Sequence, residues 1–203
     1  MIEIQCRAMT RLGIGIILAS VREGRRGEAF AHWLHKLAAA RGDFDAQLVD
    51  LREWPLPAYT SKLSPTMVEP TYAADSLEGR WVALVRGLDG FVVVTPEYNH
   101  GYPGHLKNAF DALYPAWNHK PIAFLSYGGF AAGARAAEQL SLVAIEARMV
   151  PVRDQVNLRL IGLAADEHGA PSEEIYGKRA HAMLEELAWL AKVLRDARAA
   201  RPK

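Results

Sequence analysis

The chain has 203 residues, enough for one domain with a substantial core, and its 50% hydrophobic and 23% charged residues exclude the disordered and membrane-spanning classes. Lys and Arg number 24 against 23 Asp and Glu, so no overall field favours nucleic acid or an anionic membrane, and any anion site must be local. Cys6 is the only cysteine, which permits no internal disulfide and no thiolate metal cluster and points to a cytoplasmic compartment.

Residues 1–10 show no usable periodicity and read as an N-terminal extension, with Met9 as an alternative start. Arg7 and Arg11 ahead of the apolar run 12–19 imitate a short secretory signal. Glu3 among those charges, and a run far below the ~18 residues of a membrane span, favour a first strand at 13–19 instead. A polar turn follows, then a helix with Phe30, Leu34, Leu37 and Ala38 on one face. A second, more alternating strand is predicted at 44–51, and then a long segment, 52–75, carrying Pro55, Pro57, Pro65 and Pro70. Leu77, Trp81, Leu84, Val85 and Leu88 mark the next helix, before an apolar strand at 90–95. Pro103 suits the opening of a further helix. The pattern continues with a strand at 121–126, a helix through Ala136, Leu140, Val143, Ala144 and Ala147, and a strand at 149–152. After a second long connection, 153–172, a final helix shows Ala180, Met183, Leu184, Leu187, Leu190, Ala191 and Leu194 at heptad-like spacing. Its basic tail, 196–203, reads as a fraying end whose cations suit a helix C-terminus.

Alternation of apolar strands with helices predicts a doubly wound α/β fold, with both faces of a parallel sheet covered. Right-handed crossovers put five such strands in the order 2-1-3-4-5, and ligands then sit beyond the carboxyl ends of strands 1 and 3, where the order reverses. The loops after strands 1, 3 and 4 are therefore where chemistry is expected.

The first loop holds Ser20, Arg22, Arg25, Arg26 and Gly27 ahead of a helix, which suits a phosphate monoester: a hydroxyl, guanidinium groups and a positive helix end. A solvated basic turn explains those residues equally well. Gly13 and Gly15 lie inside the strand and make no dinucleotide fingerprint, and no Walker loop is present. The second loop delivers Pro96, Glu97, Tyr98 and Asn99 to the sheet edge, where amides, a carboxamide and an aromatic face can meet a flat heterocycle. The alternative is a polar turn followed by a helix in which Lys107 and Asp111 form an i,i+4 pair worth about 0.2 to 0.5 kcal/mol. The third loop, Ser126, Tyr127, Gly128 and Gly129, allows close backbone approach and is equally consistent with an ordinary strand-to-helix turn. His32 with His35, and His100 with His105, lack a nearby carboxylate or thiol at ligand spacing and read as boundary residues rather than metal ligands.

Pro96-Glu97-Tyr98-Asn99, followed by Pro103-Gly104 and then Leu106-Lys107-Asn108-Ala109-Phe110-Asp111, resembles the signature of the NADPH-dependent FMN reductase family, whose members have a flavodoxin-like fold. Ser20 and Arg22 resemble that family's phosphate-gripping residues, and Ser126-Tyr127-Gly128-Gly129 its segment against the pyrimidine end of the flavin. The passage from Asp50-Leu51 to Leu56-Pro57 is also similar, so the likeness covers most of residues 12–150. Arg25, Arg26 and Gly27 depart from the serine or asparagine of many members, which leaves open which arginine meets phosphate.

The resemblance implies a flavodoxin-like three-layer sandwich with bound FMN, NADPH as co-substrate, and a small acceptor such as free flavin, quinone, azo compound or metal oxyanion. It also implies a homodimer or homotetramer, with no nucleic acid or membrane partner. Flavin chemistry needs an open face above the ring more than an acid or base, so no general base is named. A plain electron-carrier flavodoxin is the competing reading, disfavoured because such proteins are strongly acidic; a phosphorylated receiver lacks its aspartate at the end of strand 3.

Overall fold

The computed structural model describes residues 11–67 and 71–201. The N-terminal extension with Cys6 and Met9, together with Pro70 and the last two residues, lies outside them. Six parallel strands are β1 (Leu12–Leu18), β2 (Phe44–Asp50), β3 (Gly90–Pro96), β4 (Pro121–Gly128), β5 (Val150–Pro151) and β6 (Val156–Arg159). Five helices are α1 (Gly27–Ala39), α2 (Leu77–Gly87), α3 (Gly104–Asp111), α4 (Ala134–Glu146) and α5 (Glu173–Ala199).

The sheet runs β2-β1-β3-β4-β5, with β6 also paired to β4, so the order inferred from the alternating pattern holds. Ile14, Ile16 and Leu18 of β1 face one apolar layer, made with Phe30 and Leu34 of α1 and Met183, Leu184 and Leu187 of α5. Ile17 and Ala19 face the other, with Trp81 of α2, Phe110 of α3 and Leu140 of α4. Strand residues alternate between faces, and each face is apolar, so these segments read as unbroken hydrophobic runs.

Two expectations change. The strand predicted at 149–152 and the start of the connection predicted at 153–172 form one interrupted edge strand: β5 stops at Pro151, and β6 resumes against Leu125 to Gly128 of the same neighbour. The ladder runs one bond past Pro151, with Val152 N donating to Ile122 O at 2.8 Å, before the chain leaves β4 and returns as β6, which is too short and too mixed in composition to stand out. The tail expected to fray is instead helical through Ala199. Arg198 donates to His119 O at 2.6 Å and to Asp89 at 3.1 Å, and Arg201 meets His119 Nε2 at 2.7 Å. Those acceptors are remote in sequence, which is why the basic run resembled a solvated end. No helix among the described residues is long and apolar enough to cross a membrane.

The long segment after β2 is tied down. Trp54 packs on Trp81 with ring centroids 5.2 Å apart, Asn108 donates to Leu56 O and Pro57 O at 2.6 and 2.9 Å, and Tyr72 donates to Ala112 O at 2.8 Å.

Candidate functional site

β1 ends in a buried hydroxyl. Ser20 is 1% exposed, and its Oγ lies 2.7 Å from the Tyr98 hydroxyl, which links the first loop to the loop after β3. The loop then turns into α1, whose first residue, Gly27, sits directly over Tyr127: a Cβ on Gly27 would fall 2.4 Å from Tyr127 Oη. Only glycine fits there, so the first turn of α1 with its unpaired amides is drawn down onto the sheet.

The three arginines separate cleanly. The Arg25 side chain is 4% exposed and fully engaged: it grips both carboxylate oxygens of Asp50 at the end of β2 and donates to Ser20 O at 2.8 Å and Glu28 at 3.2 Å. Burial opposes its charge, but the hydrogen bonds and charge of Asp50, with those of Glu28, outweigh it and hold its pKa above the ordinary value. Arg25 therefore shapes the loop through Asp50, Ser20 and Glu28. Arg22 is exposed, lies 5.7 Å from the Tyr98 ring centroid, and has no carboxylate partner among the described residues. Arg26, at the N-cap of α1, is likewise exposed and unpaired.

Sequence reading did not single out Asp50 or Arg52 as parts of this loop. Asp50 accepts from Arg52 N at 3.0 Å, and Arg52 donates to Val21 O at 3.2 Å and to Arg22 O. Strand β2 thus staples residues 20–25 from below. The signal available was the passage starting at Asp50-Leu51, whose meaning needs the β1–β2 pairing of Leu18 with Asp50.

After β3, Pro96 is buried and Glu97 donates its N–H to Tyr127 O at 2.9 Å. The Glu97 carboxylate, expected at a ligand, instead pairs with Arg135 (Nε at 2.6 Å) and accepts Arg135 N at 3.3 Å, at the start of α4. A helix N-terminus favours an anion there. Tyr98 and Gly101 exchange both backbone hydrogen bonds, at 2.8 and 2.9 Å. Asn99 and His100 between them have φ of 49° and 71°, the signs of a type I′ turn. The Asn99 carboxamide projects exposed from it, without a hydrogen-bond partner among the described residues. Lys107 and Asp111 form the predicted pair at 2.5 Å.

Near the end of β4, Ser126 turns inward, donating to Ala132 O at 3.1 Å and accepting from Asn157 Nδ2 at 2.7 Å. Gly128 is buried beside Glu97 and Gly133, while Gly129 is exposed with open space where a side chain would be. Tyr127 differs most from expectation. Its backbone, expected in the third loop, is part of β4, and its ring packs edge-on against Phe30 at 5.0 Å and carries the hydroxyl beneath the first loop. That hydroxyl is buried with no hydrogen-bond partner. Burial, with Tyr98 adding to it, raises its pKa, against smaller influences from the Ser20 hydroxyl and the Gly27 N–H, which lie near it without hydrogen-bond geometry.

Ser20, Tyr98, Tyr127 and the start of α1 therefore converge at the strand-order reversal, flanked by two unpaired guanidinium groups. This geometry coincides with a match of residues 12–161 to the model of a family described as NADPH-dependent FMN reductase. The chain belongs to the NADPH-dependent FMN reductase family. It is 39% identical over 145 residues to an NAD(P)H-dependent FMN reductase of Schizosaccharomyces pombe, covering 70% of this chain and 72% of the relative. It is 32% identical over 118 residues to a 2-hydroxy-1,4-benzoquinone reductase of Burkholderia, covering 58% and 56%. In fold it is similar to FerB, a flavoenzyme NAD(P)H:(acceptor) oxidoreductase of Paracoccus denitrificans, with a TM-score of 0.71 and 22% identity over 89% of this chain and 98% of that one.

The residues fit the family's flavin. A phosphate monoester needs donors at its oxygens, and the cradle between Ser20 and Gly27 supplies helix amides, a seryl hydroxyl and an orphaned phenol.

Proposed function

We propose that this chain is an FMN-dependent NAD(P)H oxidoreductase that passes electrons from NADPH to a small acceptor of the quinone class, with free flavin, azo compounds and metal oxyanions as further candidates. The observation that carries the reading is the Tyr127 hydroxyl, 96% of whose residue is buried and which has no partner, held under the first turn of α1 next to Ser20. Burying a hydroxyl without a hydrogen bond costs about 1 to 3 kcal/mol, a cost that a bound phosphate oxygen would remove.

In this reading the amides of residues 22–27, Ser20, Tyr127, Arg22 and Arg26 hold the phosphate. Arg25 and Arg52 keep the loop in shape through Asp50 and the Val21 and Arg22 carbonyls. The type I′ turn at Tyr98 to Gly101 and the Gly128–Gly129 backbone border the ring, with Asn99 offering a carboxamide and Gly129 leaving room for close approach. When bound, FMN supplies hydride acceptance from the nicotinamide and electron delivery to the acceptor. The protein's part is to hold the ring with one face open.

A further surface supports a homodimer, as the family resemblance implies. A groove of about 670 Å³ runs between α3, α4 and the Pro-rich segment, lined by Tyr59, Leu63, Phe110, Tyr114, Leu142 and Val143. Leu142 and Ile145 beside it are 70% and 60% exposed. Exposed apolar side chains gathered on one face mark an association surface. A cytoplasmic location accords with a lone cysteine.

The test is reconstitution. The purified chain should be yellow or become so with FMN, bind FMN far more tightly than riboflavin, and oxidise NADPH when a benzoquinone is supplied. A chain that ignores FMN discards the proposal, and one that binds FMN without NAD(P)H turnover is an electron carrier instead.

A further inference from the structure

Beyond the flavin cradle, β4 and β6 end side by side, with Gly128 in register with Arg159. Phe130 follows two residues after Gly128 and is 84% exposed, although phenylalanine is ordinarily an interior residue. The Arg159 guanidinium lies 5.6 Å from its ring centroid. Arg159 has no carboxylate partner among the described residues. An aromatic ring with one face covered by a cation and its surroundings open is a stacking platform with a charge at its side.

Positive charge continues along the same edge. Asn157, on the same face of β6 as Arg159, lines a cleft of about 350 Å³ with Arg153 and Arg179, where Asp154 is the single acidic residue.

We propose that Phe130 and Arg159 form the subsite for the adenosine 2′-phosphate end of the reductant, with Arg159 reading the phosphate and Phe130 stacking on the purine. The inference deepens the reductase reading and rests on it: the platform stands next to Gly128, which that reading places at the ring, so a dinucleotide with its nicotinamide over the flavin has its other end within reach of this edge. A guanidinium offers a phosphate two parallel donors, and a 2′-hydroxyl gives it no charge to pair with. The pair therefore accounts for preference between two co-substrates that differ in that one group.

The experiment compares wild type, Arg159→Ala and Phe130→Leu. The ratio of kcat/KM for NADPH to that for NADH should favour NADPH in the wild type and fall about tenfold or more in R159A. In F130L the efficiency with both co-substrates should fall several-fold while their ratio stays within twofold. Independently of turnover, 2′,5′-ADP titrated into the unloaded chain should bind about tenfold more weakly to R159A, whereas inorganic phosphate should not compete at equal concentration. An R159A ratio equal to that of the wild type, a wild type without preference for NADPH, or R159A and F130L variants that merely lose oligomeric state on size exclusion would each overturn the subsite. A wild type that takes up no FMN sinks the parent reading instead, and the 2′,5′-ADP titration still tests Arg159.

Discussion

The Tyr98 hydroxyl reaches across 78 residues of sequence to lie 2.7 Å from Ser20 Oγ, so the exit of β1 and the turn after β3 are one polar unit. In the proposed reading this bond holds phosphate cradle and ring border in fixed relation before any flavin arrives. Tyr98→Phe removes the bond while keeping the ring under Arg22. A neutral hydrogen bond contributes about 0.5 to 1.5 kcal/mol, so FMN affinity should drop roughly three- to tenfold, read by fluorescence titration. Unaltered affinity would mean the two loops are positioned by packing alone.

Gly27 and Tyr127 should behave as a coupled pair. Gly27→Ala drives a methyl against the Tyr127 hydroxyl and should destabilise the fold by about 1 to 3 kcal/mol. Tyr127→Phe in the same chain removes the nearest atom and should recover part of that loss. Denaturant unfolding of both single variants and the double variant measures the coupling, and simple additivity would contradict the contact.

Asp50 should make stability acid-sensitive. Burial pushes its carboxyl pKa up, but hydrogen bonds from Arg25 and Arg52 N–H, with both their charges, hold it below the ordinary 3.8. A carboxylate lowered in the folded state stabilises fully above its unfolded value and loses that contribution as pH falls through the folded one. Asp50→Asn should therefore cost about 2 to 4 kcal/mol at pH 7, because it strands Arg25, and the gap to wild type should narrow only below about pH 4. Unfolding curves at pH 3, 5 and 7 decide this.

Lys120 should act in the opposite range. It is 4% exposed, and its Nζ donates to Val85 O at 2.5 Å and Arg86 O at 3.2 Å at the end of α2. Burial, with a smaller contribution from Arg198, brings its pKa down to about 7. The unfolded chain then holds a proton that the folded one lacks between about pH 7 and 10, so this residue's contribution to stability rises with pH across that window. Relative to Lys120→Met, wild type should gain thermal stability from pH 7 to 10. A difference independent of pH would show that the amine stays protonated on its carbonyl partners.

The alternation of apolar runs was enough to give the sheet order, because right-handed crossovers leave few ways to wire such a pattern. The turns after β1, β3 and β4 were also placed from sequence, since each follows a buried strand, although β4 runs on to Gly128 and takes in most of the loop expected at 126–129. The roles within them were not. Arg22, Arg25 and Arg26 look alike in sequence, and only the Asp50 carboxylate, brought alongside by strand pairing, sets Arg25 apart from the other two. Glu97 looked like a ligand-facing carboxylate until α4 placed Arg135 against it. Tyr127 carries its backbone in β4 and its hydroxyl under the first loop, a placement that strand alternation produces and linear motifs do not reveal.

The break between β5 and β6 has a consequence for solubility. An outermost strand with a long row of free amides and carbonyls invites foreign chains to zip onto it. Here that border is two residues ending in a proline, an interruption at 152–155, and then four residues ending in an arginine. Neither stub is long enough to template a growing ribbon, so a half-folded molecule can expose this flank during synthesis with little risk of sticking to its siblings.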